Sequence, residues 1–297
     1  MTTPNKPSCN LQLFINSKSV PITKLRFPAG ESMIRIPNCN SLLELLNESQ
    51  YSPELIENIT VRMDFRDNGD FIDLMLLMDA IRREYKFNSN RKEELILDYL
   101  PYARQDRVNV EGESLSIRVI TDIVNNLAFD SVYCKDIHSD VGISLLNNLH
   151  HLNTTHCGSK LPNIVGRDTI LVSPDAGAVR KVYDFAQKNG YRQMVSAYKK
   201  RDPATGIISG TWVDISSVTE AQHLGQRDML VLDDICDGGA TFLGLGEKLR
   251  QVTNGKLYLY VTHGIFSKGL NTLLEVYDTI YVSNNMSDIV DERLIVI

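Results

Sequence analysis

The stretch Leu230–Val252, LVLDDICDGGATFLGLGEKLRQV, decides the fold. An apolar run ends in two adjacent carboxylates, Asp233 and Asp234. A short loop with Asp237, Gly238 and Gly239 follows, and then apolar residues return at helical spacing. Strand, turn and helix in that order form the repeating unit of an α/β sheet. Outward from this stretch the same rhythm recurs. EELILDYL, SVYCKDI, TILVSP, QMVSAYKKR and KLYLYVTHGIF read as strands, and LQLFIN as a first strand. FIDLMLLMDAIRREY, SIRVITDIVNNL and AVRKVYDFAQKNG read as helices, the last stopped by a glycine. The series restarts near residue 150, so we expect two similar α/β domains, 1–149 and 150–297, each a mainly parallel sheet flanked by helices. Ligands of such sheets sit at the carboxyl ends of the strands.

The 297 residues are 43% hydrophobic and 23% charged, with a net charge of -6, the mixture of a globular protein. That balance argues against a broad basic surface for nucleic acid. The five cysteines are widely spaced, with no CxxC pair, so a disulfide framework is not expected. No leader-like stretch opens the chain and no run approaches the roughly 18 apolar residues of a membrane span, so we expect a cytoplasmic protein without membrane partners.

The central loop has a chemical logic. Backbone N–H groups at a helix start hold phosphate, glycines allow close approach, and Thr241 adds a hydroxyl. Carboxylates repel phosphate, so Asp233 and Asp234 must serve another part of the ligand. Vicinal ribose hydroxyls suit them. The plainer alternative is a polar turn with Asp237 as the helix cap.

Other stretches offer further groups. YKKRDPATGIISGTW reads as a hairpin whose Lys199, Lys200 and Arg201 could steady a transferring phosphoryl group, or form a solvated charge run. KDIHSD sets His138 between two acids beyond a strand, for acid–base chemistry or a metal-bound nucleotide. VSPDAGAVRK sets Asp175 at a strand end, to face Mg²⁺ or to cap a helix. LPYARQDR offers Arg104, Gln105 and Arg107 for anion and base-edge contacts. HHLNTTHC matches no common zinc spacing and is expected to be a surface loop.

Taken together, FPAGE (27–31), NGDFIDLMLLMDAIRR (68–83), YARQDR (102–107), KDIHSD (135–140), VSPDAGAVRK (172–181), YKKRD (198–202), VLDDICDGGAT (231–241) and THGIFS (262–267) resemble the ribose-phosphate pyrophosphokinases. The resemblance implies two tandem phosphoribosyltransferase-like domains, the first carrying ATP-side elements and the second the ribose-phosphate loop. It implies Mg²⁺, and ATP as co-substrate, whose β,γ-diphosphate passes to a ribose 1-hydroxyl as AMP leaves. Carried over by position, Asp233 and Asp234 would hold the ribose hydroxyls. Asp237, Gly238, Gly239, Ala240 and Thr241 would cradle the 5-phosphate. Arg104 and Gln105 would hold ATP, with Phe27 and Glu31 reaching the adenine of a neighbouring subunit in a homo-oligomer. His138 and Asp175 would contact the Mg²⁺–ATP complex, with Lys199, Arg201 and His138 catalytic.

The chain departs from the family pattern. Ala29 stands where an acid or amide is usual, and EGESLSIRV replaces an Arg-Pro-Ile-Ser stretch. The loop is Asp237-Gly238-Gly239-Ala240-Thr241 where Asp-Thr-x-Gly-Thr is usual. A hydroxyl is missing and Gly238 leaves space, which resembles a branch associated with nicotinamide phosphoribosyltransferase-like enzymes. On that ground the favoured acceptor is ADP-ribose, for NAD salvage. The alternatives are ribose 5-phosphate as in an ordinary pyrophosphokinase, a phosphoribosyltransferase, and a regulatory homologue without turnover.

Overall fold

The computed structural model describes residues 10–85, 90–201, 208–214 and 225–297; the side chains of 199–201 and 208–214 lie outside that description. The chain divides into two compact units, Met1–His151 and Leu152–Ile297.

The first unit opens with β1 (Leu11–Ile15), β2 (Lys18–Val20), the hairpin β3 (Thr23–Arg26) and β4 (Ser32–Arg35), and α1 (Cys39–Leu46). It continues through β5 (Asn58–Met63), α2 (Gly69–Glu84), β6 (Lys92–Leu97), α3 (Ser116–Asn126), β7 (Ser131–Lys135), α4 (Asp140–Leu145) and β8 (Leu149–Leu152). Among the described residues the sheet order is β2-β1-β5-β6-β7-β8, with β5, β6 and β7 parallel and β1 antiparallel to both of its neighbours. Residues alternate between buried and half-buried along β5 and β7, the period-2 pattern of a pleated strand. Helix α2 follows its sequence signals. Asp70 in its first turn accepts from the Arg66 and Asp67 backbone N–H groups, and Arg82 and Arg83 close its last turn, where the helix dipole favours cations.

The second unit holds α5 (Thr154–Cys157), α6 (Leu161–Val165), β9 (Ile170–Ser173), α7 (Val179–Asn189), β10 (Met194–Arg201) and β11 (Ile208–Asp214). After them come β12 (Met229–Cys236), α8 (Ala240–Leu249), β13 (Leu257–Gly264), α9 (Asn271–Leu274), β14 (Thr279–Asn285) and β15 (Leu294–Val296). The order is β11-β10-β9-β12-β13-β14-β15, parallel throughout except for the β10–β11 hairpin. All four residues of β9 and the first four of β12 are buried, as in strands covered on both faces. Val172, Val231 and Val261 pack with Phe242, Leu245 and Leu249 of α8 on one face. Leu171, Leu230 and Leu232 pack with Val182 and Phe185 of α7 on the other. Burying each such side chain contributes about 1.5–3 kcal/mol.

The chain therefore runs outward from β9 to β10 and β11 on one side, then returns to lay β12 on the other. That reversal opens a crevice at the carboxyl ends of β9 and β12. Both α/β expectations hold: mixed layers, and two sheets of mostly parallel strands flanked by helices. The segment HHLNTTHC is not the surface loop expected of it. It forms β8 and α5, because His150 stacks on Tyr133 at 4.7 Å and Cys157 Sγ bonds the Leu152 carbonyl at 3.1 Å.

Candidate active site

The crevice of the second unit gathers the loop after β9 and the loop after β12. Asp233 and Asp234 end the buried run of β12, but their environments differ. Asp234 is 4% exposed and its Oδ1 lies 2.6 Å from Lys181 Nζ on α7. The Asp233 side chain is 17% exposed, and its Oδ1 accepts from the Asp234 backbone N–H at 2.9 Å and lies 3.8 Å from Lys181 Nζ. Burial first, and the neighbouring Asp234 charge second, push the Asp233 carboxyl well above the usual carboxylate range, with Lys181 pulling the other way. The two acids expected to face a sugar are thus held differently. Asp234 is turned into an ion pair, and Asp233 is the more open of the two. Lys181 was missed as a functional residue, although it ends the quoted VSPDAGAVRK stretch; nothing in the spacing marks it as the acids' counter-charge.

Beyond the acids, Gly239 turns the chain with φ +77 and serves as N-cap of α8. A left-handed φ of this kind favours glycine, and an added Cβ would also stand 3.1 Å from Leu273 Cδ1. No side chain caps this helix, so its first N–H groups point into the loop without a side-chain acceptor. The plainer reading of Asp237 as a cap is therefore not what forms. Asp237 Oδ1 instead accepts from the Ser267 hydroxyl at 2.6 Å. Ala240 and Thr241 open the helix itself. Gly238 does not leave the open space expected of it: the Lys268 Cδ and Cε atoms lie 3.5 Å from where a Cβ would be.

Asp175 stands beyond β9. Its Oδ1 accepts from Gly177 N–H at 2.9 Å and Ala178 N–H at 3.1 Å, closing a turn before α7, whose N-cap Ala178 has no side-chain cap; the helix cap named as the alternative to a metal contact is not what forms. Lys199 and Arg201 belong to β10, where the pairing with β11 shifts register between Lys200 and Arg201. Their side chains lie outside the described residues.

In the first unit the loops after β6 and β7 approach one another. Asp98 ends β6 and is gripped by Arg62 of β5 and by Lys135 of β7, the latter at 2.7 Å, so one carboxylate ties three strand ends. Burial pushes Asp98 up, but its hydrogen bonds to Arg62 and Lys135 prevail and hold it below the usual range. The YARQDR loop turns at Tyr102, φ +63, and the KDIHSD loop at Asp136, φ +32. Left-handed backbone at non-glycine residues costs about 1–3 kcal/mol and gathers at functional sites. His138 is exposed and its charge acts on Asp106, whose carboxyl is lowered chiefly by its hydrogen bond to Arg107. Arg107 pairs with that neighbour at 2.9 Å, and Arg104 and Gln105 are exposed. A second missed residue lies here. His151 Nε2 accepts from the Ile137 N–H at 3.1 Å and so steadies the loop that presents His138. In the β3–β4 turn, Phe27 N–H donates to the Glu31 carbonyl at 2.8 Å, and the Phe27 ring is 48% exposed.

Magnesium keeps several waters and usually takes one or two carboxylates plus substrate phosphates. Among the described residues no group of three or more His, Cys, Asp or Glu side chains gathers as a cage. Single contacts from His138 or Asp175 fit an ion carried in on phosphate, not one held by the protein alone. Among the described residues no helix is long and apolar enough to cross a membrane.

Comparison with known proteins agrees with this geometry. No protein-family model matches the chain. It is 27% identical over 276 residues to the ribose-phosphate pyrophosphokinase of Pyrococcus furiosus, spanning 91% of this chain and 88% of that one. The enzyme of the same name from Thermococcus kodakarensis is 26% identical over 265 residues, 88% of this chain and 84% of the relative. Among solved structures, phosphoribosylpyrophosphate synthetase from Mycobacterium smegmatis superposes with a TM-score of 0.71 at 20% identity, covering 95% of this chain and 87% of that one. That likeness shows the fold.

Proposed function

We propose that this chain, whose relatives support its place among the ribose-phosphate pyrophosphokinases, is a diphosphotransferase. It moves the β,γ-diphosphate of Mg–ATP to the 1-hydroxyl of ribose 5-phosphate and releases AMP. The observation that carries this reading is the order along β12 and α8: an acid pair, a glycine turn, then a helix N-terminus without a side-chain cap. Asp233 accepts the vicinal hydroxyls of the sugar, Asp234 is anchored by Lys181, and the N–H groups from Gly238 to Thr241 take the 5-phosphate. Both requirements are met within one short segment, and a phosphate alone would not call for the acids.

In the first unit, Arg104 and Gln105 hold the nucleotide. His138 sits where the strands end, ready for a phosphate oxygen. Magnesium, when bound with ATP, would neutralise phosphate charge; His138 in the first unit and Asp175 in the second are each proposed as a contact to it. Lys199 and Arg201 stabilise the charge on the transferring group. Phe27 and Glu31 meet a neighbouring subunit's adenine in a homo-oligomer.

Ribose 5-phosphate is preferred here to ADP-ribose as acceptor. The ADP-ribose reading, with NAD salvage and a nicotinamide phosphoribosyltransferase-like partner, rests on open space at Gly238, where the Lys268 stem instead lies 3.5 Å from a Cβ position. The relatives' names point the same way. The test is AMP release from Mg–ATP with ribose 5-phosphate and ADP-ribose in parallel, with product masses recorded. Phosphoribosyl pyrophosphate as the main product supports the proposal, and a diphosphorylated ADP-ribose replaces the acceptor. No AMP with either would turn attention to a regulatory homologue, and pyrophosphate release with a free base and no ATP to a phosphoribosyltransferase.

A further inference from the structure

The turn after β13 is fastened to the loop after β12. Ile265 and Phe266 N–H groups both donate to the Cys236 carbonyl, at 2.8 and 3.2 Å. Ser267 donates to Asp237, and Gly269 N–H closes the turn on the Phe266 carbonyl at 2.8 Å. Phe266, φ +50, and Gly269, φ +79, bend the backbone so that residue 268 stands at the apex. Lys268 therefore has a fixed base. Its Cγ, Cδ and Cε lie 3.8, 3.5 and 3.5 Å from the position of a Cβ on Gly238, ordinary van der Waals contact along the whole stem. A Cβ at 238 would meet this stem at ordinary contact distance, so Lys268 lies directly over Gly238. The ammonium, one bond beyond Cε, is carried at the rim of the loop, and among the described residues no carboxylate pairs with it.

We propose that Lys268 is a specificity-determining residue of this site: its ammonium, laid over Gly238, takes the phosphomonoester end of the acceptor and favours it over an acceptor whose phosphate is esterified further. The inference rests on the reading of the loop as a 5-phosphate site. A free phosphomonoester carries about -1.5 to -2 charges near neutral pH, whereas each phosphate of a substituted diphosphate carries one and has a face blocked by its ester. A point charge on a flexible stem suits the former. It also offsets the Asp237 carboxylate at the head of the loop, which would otherwise repel any phosphate. Where a hydroxyl-bearing side chain at 238 would donate one neutral hydrogen bond, this chain supplies a charged donor from a different strand's turn.

The experiment uses the full chain as wild type, Lys268→Gln and Lys268→Arg. Acceptor KM and kcat are measured with ribose 5-phosphate and ADP-ribose, and ribose 5-phosphate binding is measured by calorimetry without ATP. A charge-assisted contact predicts a roughly 10- to 100-fold rise in the ribose 5-phosphate KM for Lys268→Gln. The KM for ATP should hold, Lys268→Arg should recover most of the loss, and the preference over ADP-ribose should narrow. An unchanged KM and an unchanged acceptor ratio in Lys268→Gln would overturn the proposal while leaving the pyrophosphokinase reading intact. Binding that depends on Lys268 without any AMP release would do the reverse. No binding of ribose 5-phosphate by the wild type would sink both.

Discussion

Lys181 Nζ lies 2.6 Å from Asp234 Oδ1 and 3.8 Å from Asp233 Oδ1, so a single ammonium on α7 serves both acids at the end of β12. Two carboxylates on successive residues repel, and burial strengthens the repulsion. The lysine is what lets the pair exist with charge on it.

Replacing Lys181 with methionine should therefore raise the pH at which the pair takes up a proton. A carboxylate is the form that accepts ribose hydroxyls, so acceptor KM should climb on the acid side, and that limb should move toward neutral pH in the variant. Leaving Asp234 buried without its partner should also cost up to about 3 kcal/mol of stability. KM for ribose 5-phosphate measured across pH, beside thermal melts, separates the two effects. An acid limb that stays in place would mean Lys181 is structural only.

Asp233 is a site where function opposes stability. Its folded carboxyl is raised above its unfolded value, chiefly by burial. The folded state thus binds that proton more tightly than the unfolded one. The stability this contributes is present at acid pH and is lost as pH rises through the raised folded value. At neutral pH, Asp233→Asn should consequently stabilise the protein by about 1–2 kcal/mol while weakening acceptor binding. A variant that melts lower than wild type at pH 7 would refute this.

Loss of Lys199 or Arg201 should fall on turnover. By analogy with other residues that stabilise a transferring phosphoryl group, Lys199→Ala or Arg201→Ala should lower kcat about 10³–10⁵-fold, with acceptor affinity largely kept. Single-turnover AMP formation with saturating ribose 5-phosphate is the direct readout. A rate within a few-fold of wild type would remove these residues from the chemistry.

Cys236 lies between the acids and the loop, yet its thiol is pushed up to about 12 by burial first, then by Asp237 and Asp233. Since the thiolate is the reactive form, Cys236 should resist iodoacetamide at pH 8 in the folded protein and react once it is denatured. Cys236→Ala should keep activity, because the sulfur packs in the core. Rapid labelling of the native chain, located by peptide mass, would contradict this.

The sheets were legible because each strand carries its own signal. MLVL, TILVS and LYLYV are apolar runs of strand length set between helical patterns, and Gly190 marks where α7 stops. The loop after β12 was legible for the same local reason: acids, glycines and a threonine in sequence. What could not be read was how side chains from separate elements meet. Lys181 against Asp234, Lys268 over Gly238 and His151 on the Ile137 amide all join residues from different segments. Glycine at 238 suggests vacancy because a sequence shows which atoms a residue lacks, while the neighbour that lies over it comes from the turn after β13. The two short elements made by HHLNTTHC were hidden in turn, since a stacked ring and a thiol–carbonyl bond leave no periodicity.

The strand order of the second unit also bears on how the site comes into being. β12 pairs with β9 only after the whole β10–β11 hairpin has been laid down between them in the chain. Closing so long a loop costs entropy before any pairing repays it, and such non-local contacts form late in folding. The acids on β12 are thus brought beside the β9 turn, and Lys181 beside them, near the end of the process. A chain caught partway would carry its helices and its hairpin, with the acid pair and its lysine still apart.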